Sequence, residues 1–233
     1  MTSVFRARGV SVSFGGVRAV AGVDLEIEPG ELVGLIGPNG AGKTTFIDAI
    51  TGFVRSTGTV ELAGAKLDGL APHVRSQRGL ARTWQTVELF DDLTVRENLT
   101  VAAGKGSVDA ELKVLDLVSA AESMPWELTQ AERKRAGIGR ALVARPRLLC
   151  LDEPAAGLDV RQSREFGALL PGIARAGTAV LLVDHDMGLV LSVCDRVVVL
   201  ESGAVIAQGT PAEIRGDERV IAAYLGHASA GAA

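Results

Sequence analysis

No run of uncharged apolar residues in the 233-residue chain approaches the roughly 20 needed to cross a bilayer, so the sequence offers no membrane-spanning segment. The opening stretch MTSVFRARGV has no apolar core of useful length and does not read as a secretory signal. Any service to a membrane is therefore expected from outside the lipid. An excess of basic charge is lacking too. The formal charge is −4 with both signs interspersed, which leaves no electrostatic footprint for nucleic acid or for an anionic membrane surface. Cysteine is scarce. Cys150 and Cys194 both lie in apolar surroundings and are expected as buried reduced thiols rather than a disulfide, which fits a cytoplasmic protein. Internal repeats and low-complexity linkers are absent, so one domain spanning residues 1–233 is expected.

What is present is ample apolar material: 47% of residues are hydrophobic, enough to bury a sizeable core. VSVSF, VDLEI and ELVGLIG, followed by TGTVELAG, read as an N-terminal antiparallel portion linked by turns such as FGG and EPG. A helix is predicted to begin at Lys43, with Phe46, Ile47 and Ile50 at helical spacing. From Thr94 to Leu142 the stretches TVRENLTVAA, VDAELKVLDLVSAA and TQAERKRAGIGRAL read as three helices with no strand between them. RLLCL and AVLLVD are short, nearly all-apolar strands of the kind buried on both faces of a parallel sheet. Helices near Val160 and Asp186 should cover them, RVVVLES and AVIAQG should form a closing hairpin, and TPAEIRG and ERVIAAYLG should form short terminal helices. Residues from about 227 to 233 are expected to fray. The expected fold is α/β, with the antiparallel portion, a parallel-sheet core and a short inserted helical subdomain at about residues 86–143.

GPNGAGKTT supplies Gly37, Pro38, Asn39, Gly40, Ala41, Gly42, Lys43, Thr44 and Thr45, matching G-x-x-x-x-G-K-[ST] between a strand and a helix. Glycines let backbone N–H groups turn inward around phosphate oxygens, and the helix N-terminus adds partial positive charge there. Lys43 can reach the outer phosphates, and the Thr44 hydroxyl can ligate Mg²⁺. A glycine-rich turn that merely precedes a helix would not bring the lysine and the hydroxyl with it. Downstream, RLLCLDEP projects Asp152 from the end of a buried strand, where it can hold Mg²⁺ through water. Glu153 follows and can orient or deprotonate an attacking water, although a plain strand-end turn would also tolerate Asp-Glu-Pro.

With these two motifs the chain resembles the ATP-binding cassette ATPases from about Val4 to Gly226. The resemblance implies ATP and Mg²⁺ as ligands. It places Gln85, in ARTWQ, where the family senses Mg²⁺ and the attacking water, and Asp159, in AAGLD, in the D-loop. By the same resemblance His185, in VDHDM, contacts the γ-phosphate and Phe14, in SFGG, stacks on adenine. TGFVRSTGTV, ARTWQTVELFDDLTVRENLTVA, LLVDHDM and the long C-terminal phrase from CDRVVVL to AAYLG look most like the ATPase subunits of branched-chain amino acid importers. Importers of related small polar solutes use nearly the same subunit.

Such a subunit implies transmembrane permease partners, a solute-binding protein acting indirectly, and a place on the cytoplasmic face of the membrane. It implies no nucleic acid. Two departures stand out. The segment between Gln85 and Leu128 is short for the family, and by resemblance the permease docks there, near Val87 to Phe90. LTQAE (Leu128, Thr129, Gln130, Ala131, Glu132) occupies the place of the family's LSGGQ signature, because RKRAGIGRAL after it matches the following basic helix in register. Thr129 with Glu132 also satisfies the spacing of an ordinary helix capping box. The family signature acts in trans on a second ATPase subunit. A heterodimer with an intact-signature partner is thus expected, a homodimer being the alternative. A nucleotide-binding regulatory subunit of low turnover and a soluble non-transport cassette ATPase are the competing functions.

Overall fold

The computed structural model describes residues 3–230 except 85, 87 and 105. Its first sheet is antiparallel, built from β1 (Phe5–Phe14), β2 (Val17–Ile27), β4 (Thr57–Leu62) and β5 (Ala65–Lys66) in the order β2-β1-β4-β5. The second contains β3 (Leu32–Ile36), β6 (Leu80–Arg82), β7 (Leu148–Asp152), β8 (Ala179–Val183), β9 (Arg196–Glu201) and β10 (Ala204–Gly209), in the order β10-β9-β3-β8-β7-β6. Five of these run parallel and β10 closes the edge as an antiparallel hairpin with β9.

ELVGLIG therefore leaves the antiparallel portion to which the sequence assigned it. β3 pairs in parallel with β8 on one side and β9 on the other. All five of its residues are buried, and a strand without a solvent face belongs in a covered parallel sheet. Side-chain alternation splits the parallel strands between two cores. Leu148, Cys150, Leu181 and Val183 face one core with α1 (Lys43–Thr51) and the antiparallel sheet. Leu149, Leu151, Val180 and Leu182 face the other, under the remaining helices. Each such side chain contributes about 1.5–3 kcal/mol on burial, so this layer fixes where β7 and β8 end. Both cysteines are buried free thiols, and burial pushes Cys150 up to about 12.

The helices are α2 (Pro72–Gln77), α3 (Val95–Ala103), α4 (Asp109–Val114), α5 (Gln130–Leu142), α6 (Val160–Gly167), α7 (Leu170–Arg175), α8 (Met187–Val193), α9 (Pro211–Gly216) and α10 (Glu218–Ala230). Capping boxes start α3 at Thr94, α5 at Thr129, α6 at Asp159 and α9 at Thr210. The helix expected over VDAELKVLDLVSAA is shorter than its pattern. It stops at Val114 because Asp116 adopts φ +52° and the Leu117 N–H turns back to the Leu112 carbonyl at 2.8 Å. α10 runs to Ala230. Among the described residues no helix is long and apolar enough to cross a membrane.

Candidate functional site

β3 delivers the chain into the glycine loop and α1 carries it away. Gly42 is the N-cap of α1, at φ +99°, and supplies no side chain, so the first N–H groups of the helix lack a side-chain cap. A Cβ there would stand 2.3 Å from the Ala19 carbonyl oxygen of β2. The loop is also braced by the Gly203 N–H donating to the Ala41 carbonyl at 3.0 Å. Asn39, Gly40 and Thr44 are exposed, Thr45 is half-buried, and Ala41 packs inward with Gly37 and Pro38. Lys43 is buried, and its ammonium donates to the carbonyls of Gly37 at 2.7 Å and Pro38 at 3.0 Å. Burial lowers its pKa, while Glu153, Asp152 and Asp184 act in the opposite direction. A cation and three carboxylates thus converge at the ends of β3, β7 and β8.

Asp152 ends β7, buried, where desolvation raises its pKa and Arg82 opposes the rise. The Arg82 guanidinium donates to Asp152 at 2.9 Å and also pairs with Asp48 of α1. Its carbon lies 4.4 Å from the centroid of the Trp84 ring. Glu153 follows in the left-handed region at φ +45°, pinned by its N–H to the Val183 carbonyl at 2.7 Å. From the loop after β8, His185 brings Nδ1 to 3.5 Å from Glu153 Oε2 and 3.6 Å from Asp184 Oδ1.

These groups fit a nucleoside triphosphate with Mg²⁺ on the chemistry of the donors. Among the described residues no group of three His, Cys, Asp or Glu side chains could hold a metal by itself. The Thr44 hydroxyl and Asp152 are oxygen donors of the kind that suits an ion completing its shell from phosphate and water.

Phe14 ends β1 with 53% of its surface exposed, on the hairpin whose Ala19 borders Gly42. Gln85, and Val87 of the expected docking stretch, lie outside the described residues. Phe90 is described, with Arg140 4.8 Å from its ring centroid. Arg140 and Arg82 line a groove of about 670 Å³ together with Thr83, Trp84 and Lys134. Asp159 caps α6, accepting from the Gln162 N–H at 2.8 Å. In LTQAE, Leu128 is buried and Thr129 caps α5. Glu132 folds back to accept from the Thr129 N–H at 2.8 Å and its hydroxyl at 2.7 Å. Gln130 rests against the AAGLD loop, close enough that a Cβ on Gly157 would meet its amide at 2.7 Å. Sequence reading passed over Arg82, Lys134 and Asp184. Each lies inside a quoted phrase, ARTWQ, RKRAGIGRAL or VDHDM, and only charge inside a buried context marks it.

The model of the ABC transporter family matches residues 20–156, and that of the branched-chain amino acid ATP-binding cassette transporter matches residues 204–230. The chain is 38% identical to the high-affinity branched-chain amino acid transport ATP-binding protein BraF of Pseudomonas aeruginosa, over 97% of this chain and 98% of that protein. It is 35% identical to the lipopolysaccharide export system ATP-binding protein LptB of Escherichia coli K12, over 94% of this chain and 96% of that protein. Among solved structures it is similar to the ADP conformation of MJ1267, an ATP-binding cassette of an ABC transporter. There the TM-score is 0.88 and the identity 26%, covering 97% of this chain and 100% of that one.

Proposed function

The chain belongs to the ABC transporter family of ATP-hydrolysing subunits, and from that premise we propose that it drives an importer of branched-chain amino acids or related small polar solutes. In this reading it is one ATP-binding domain, attached to the cytoplasmic face of the membrane through permease subunits and served indirectly by a solute-binding protein. The observation that carries the reading is that buried Lys43, just beyond β3, and Asp152 and Glu153, at the end of β7, lie at the same edge of the parallel sheet, with His185 against Glu153.

The loop from Gly37 to Thr45 binds the phosphates through backbone N–H groups, and Lys43 neutralises the outer ones. Phe14 stacks on the adenine. Thr44 and Asp152, with Gln85, would hold Mg²⁺, which supplies further charge neutralisation at the phosphates. Glu153 accepts a proton from the attacking water and His185 positions the γ-phosphate. The water oxygen bonds to the γ-phosphorus in line as the bond to ADP breaks. Asp159 and LTQAE face the second ATPase subunit, and the permease docks at the groove beside Phe90.

Calorimetry on Lys43→Ala should show Mg-ATP affinity lost, and unchanged affinity would remove the phosphate-cradle reading. Glu153→Gln keeps the shape of the side chain, so it should bind ATP normally and hydrolyse it ~10²–10⁴-fold more slowly. Wild-type turnover by that variant would sink the role of Glu153. A second reading, a regulatory subunit of low turnover, is favoured by one observation: Glu132 closes the start of α5. Leucine uptake by vesicles holding the copurified complex decides between the two. Uptake abolished by Glu153→Gln in this chain supports the first, and uptake unaffected by it supports the second.

A further inference from the structure

A carboxylate beside the hydrolytic pair has no role in the reading above. Asp184 is 1% exposed. Its Oδ1 accepts from the Asp186 N–H at 3.0 Å, its Oδ2 is buried, and the backbones of Ala155 and His185 also favour its charged form. An ionised group so placed is costly unless a nearby charge or dipole offsets it. Its neighbour His185 turns Nδ1 toward two carboxylate oxygens at once, Glu153 Oε2 at 3.5 Å and Asp184 Oδ1 at 3.6 Å. These are ion-pair separations, longer than a formed hydrogen bond. The His185 side chain is 57% exposed, so part of the ring stays accessible from solvent. The nitrogen that faces an acceptor carries the proton, which leaves the other nitrogen its lone pair.

The other groups around this cluster are Lys43 and Asp152 at the phosphate loop and Asp186, whose side chain caps α8.

We propose that Asp184 is a positioning residue that joins Glu153 in holding His185 with Nδ1 inward and Nε2 outward. It does not touch substrate, and the proposal rests on Glu153 and His185 being the hydrolytic pair. Asp184 could instead be only a loop cap for the Asp186 N–H. Asp184→Asn separates the two roles, because the amide oxygen still accepts that bond while the negative charge is gone.

The chain has three histidines, His73, His185 and His227, so ring ¹⁵N spectra can be assigned with His185→Asn. At a pH where the imidazole is neutral, wild-type His185 should carry its proton on Nδ1. Asp184→Asn should shift at least about half of the population to the Nε2–H form. A wild-type Nε2–H tautomer overturns the proposal without needing any variant to fold. So does an Asp184→Asn spectrum identical to wild type. Unimpaired turnover in His185→Ala would instead overturn the hydrolytic reading, and the tautomer result stands apart from it.

Discussion

A Cβ built on Gly42 would collide with the Ala19 carbonyl oxygen at 2.3 Å, whereas one on Gly40, at φ +81°, meets no atom within 4 Å. Both positions are left-handed, so alanine at either carries about 1–2 kcal/mol of backbone strain. Only at Gly42 must a main-chain carbonyl of β2 also move, adding about 1–3 kcal/mol of overpacking. Urea unfolding should therefore rank Gly42→Ala well below Gly40→Ala in stability, and equal losses would show that the β2 contact yields freely. The sequence proposes these glycines with Lys43, Asp152 and Glu153 because phosphate chemistry demands fixed residue types at fixed spacing, and it proposes His185 by resemblance to the family. Arg82, Lys134 and Asp184 were not legible there. Their significance comes from desolvation and from partners far along the chain, such as Arg82 with Asp48 and Asp152, and no local spacing encodes that.

At the scale of elements, the start of α5 is a closed loop of hydrogen bonds. Thr129 Oγ1 accepts from the Glu132 N–H at 3.3 Å while the Glu132 carboxylate returns to the Thr129 N–H and hydroxyl. Thr129→Ala should cost about 1 kcal/mol in unfolding free energy, the usual worth of an N-cap. Glu132→Gln should cost less, since glutamine completes the same box. Chemical denaturation measures both, and a Thr129→Ala chain as stable as wild type would mean that the box is decorative. The T-x-x-E spacing made this helix start readable, and Thr94 and Thr210 carry the same spacing and the same cap. Two elements without such a local marker were missed or misplaced. β6 has three residues, too few to show a period. β3 has strand character in its sequence, but its parallel neighbours lie more than 140 residues away, so pattern alone could not choose its sheet.

At the scale of the whole molecule, the altered LTQAE bears on which partner the chain requires. By resemblance to the family, ATP on one subunit's loop meets the signature of the other. This chain brings a complete loop, but it presents a helix start whose donors at Thr129 and Glu132 are already bonded within the box. Gln130 and Ala131 stand in place of glycines, and Gln130 is packed against Gly157. ATP on this chain's loop facing an intact signature should be hydrolysed. ATP on the partner's loop facing LTQAE lacks donors at the developing charge, which costs ~10²–10³ in rate by analogy with removing oxyanion donors. In a homodimer both nucleotides would face LTQAE, so the chain purified alone should be a poor ATPase, and addition of an intact-signature partner should restore turnover. The combined variant Thr129→Ser, Gln130→Gly, Ala131→Gly, Glu132→Gln should raise turnover of the chain alone markedly, since it frees the helix start and returns the glycines. Steady-state phosphate release from the two purified proteins tests this directly. Brisk hydrolysis by the wild-type chain alone, with no gain in the restored variant, would leave LTQAE as a helix cap and remove the need for an unlike partner.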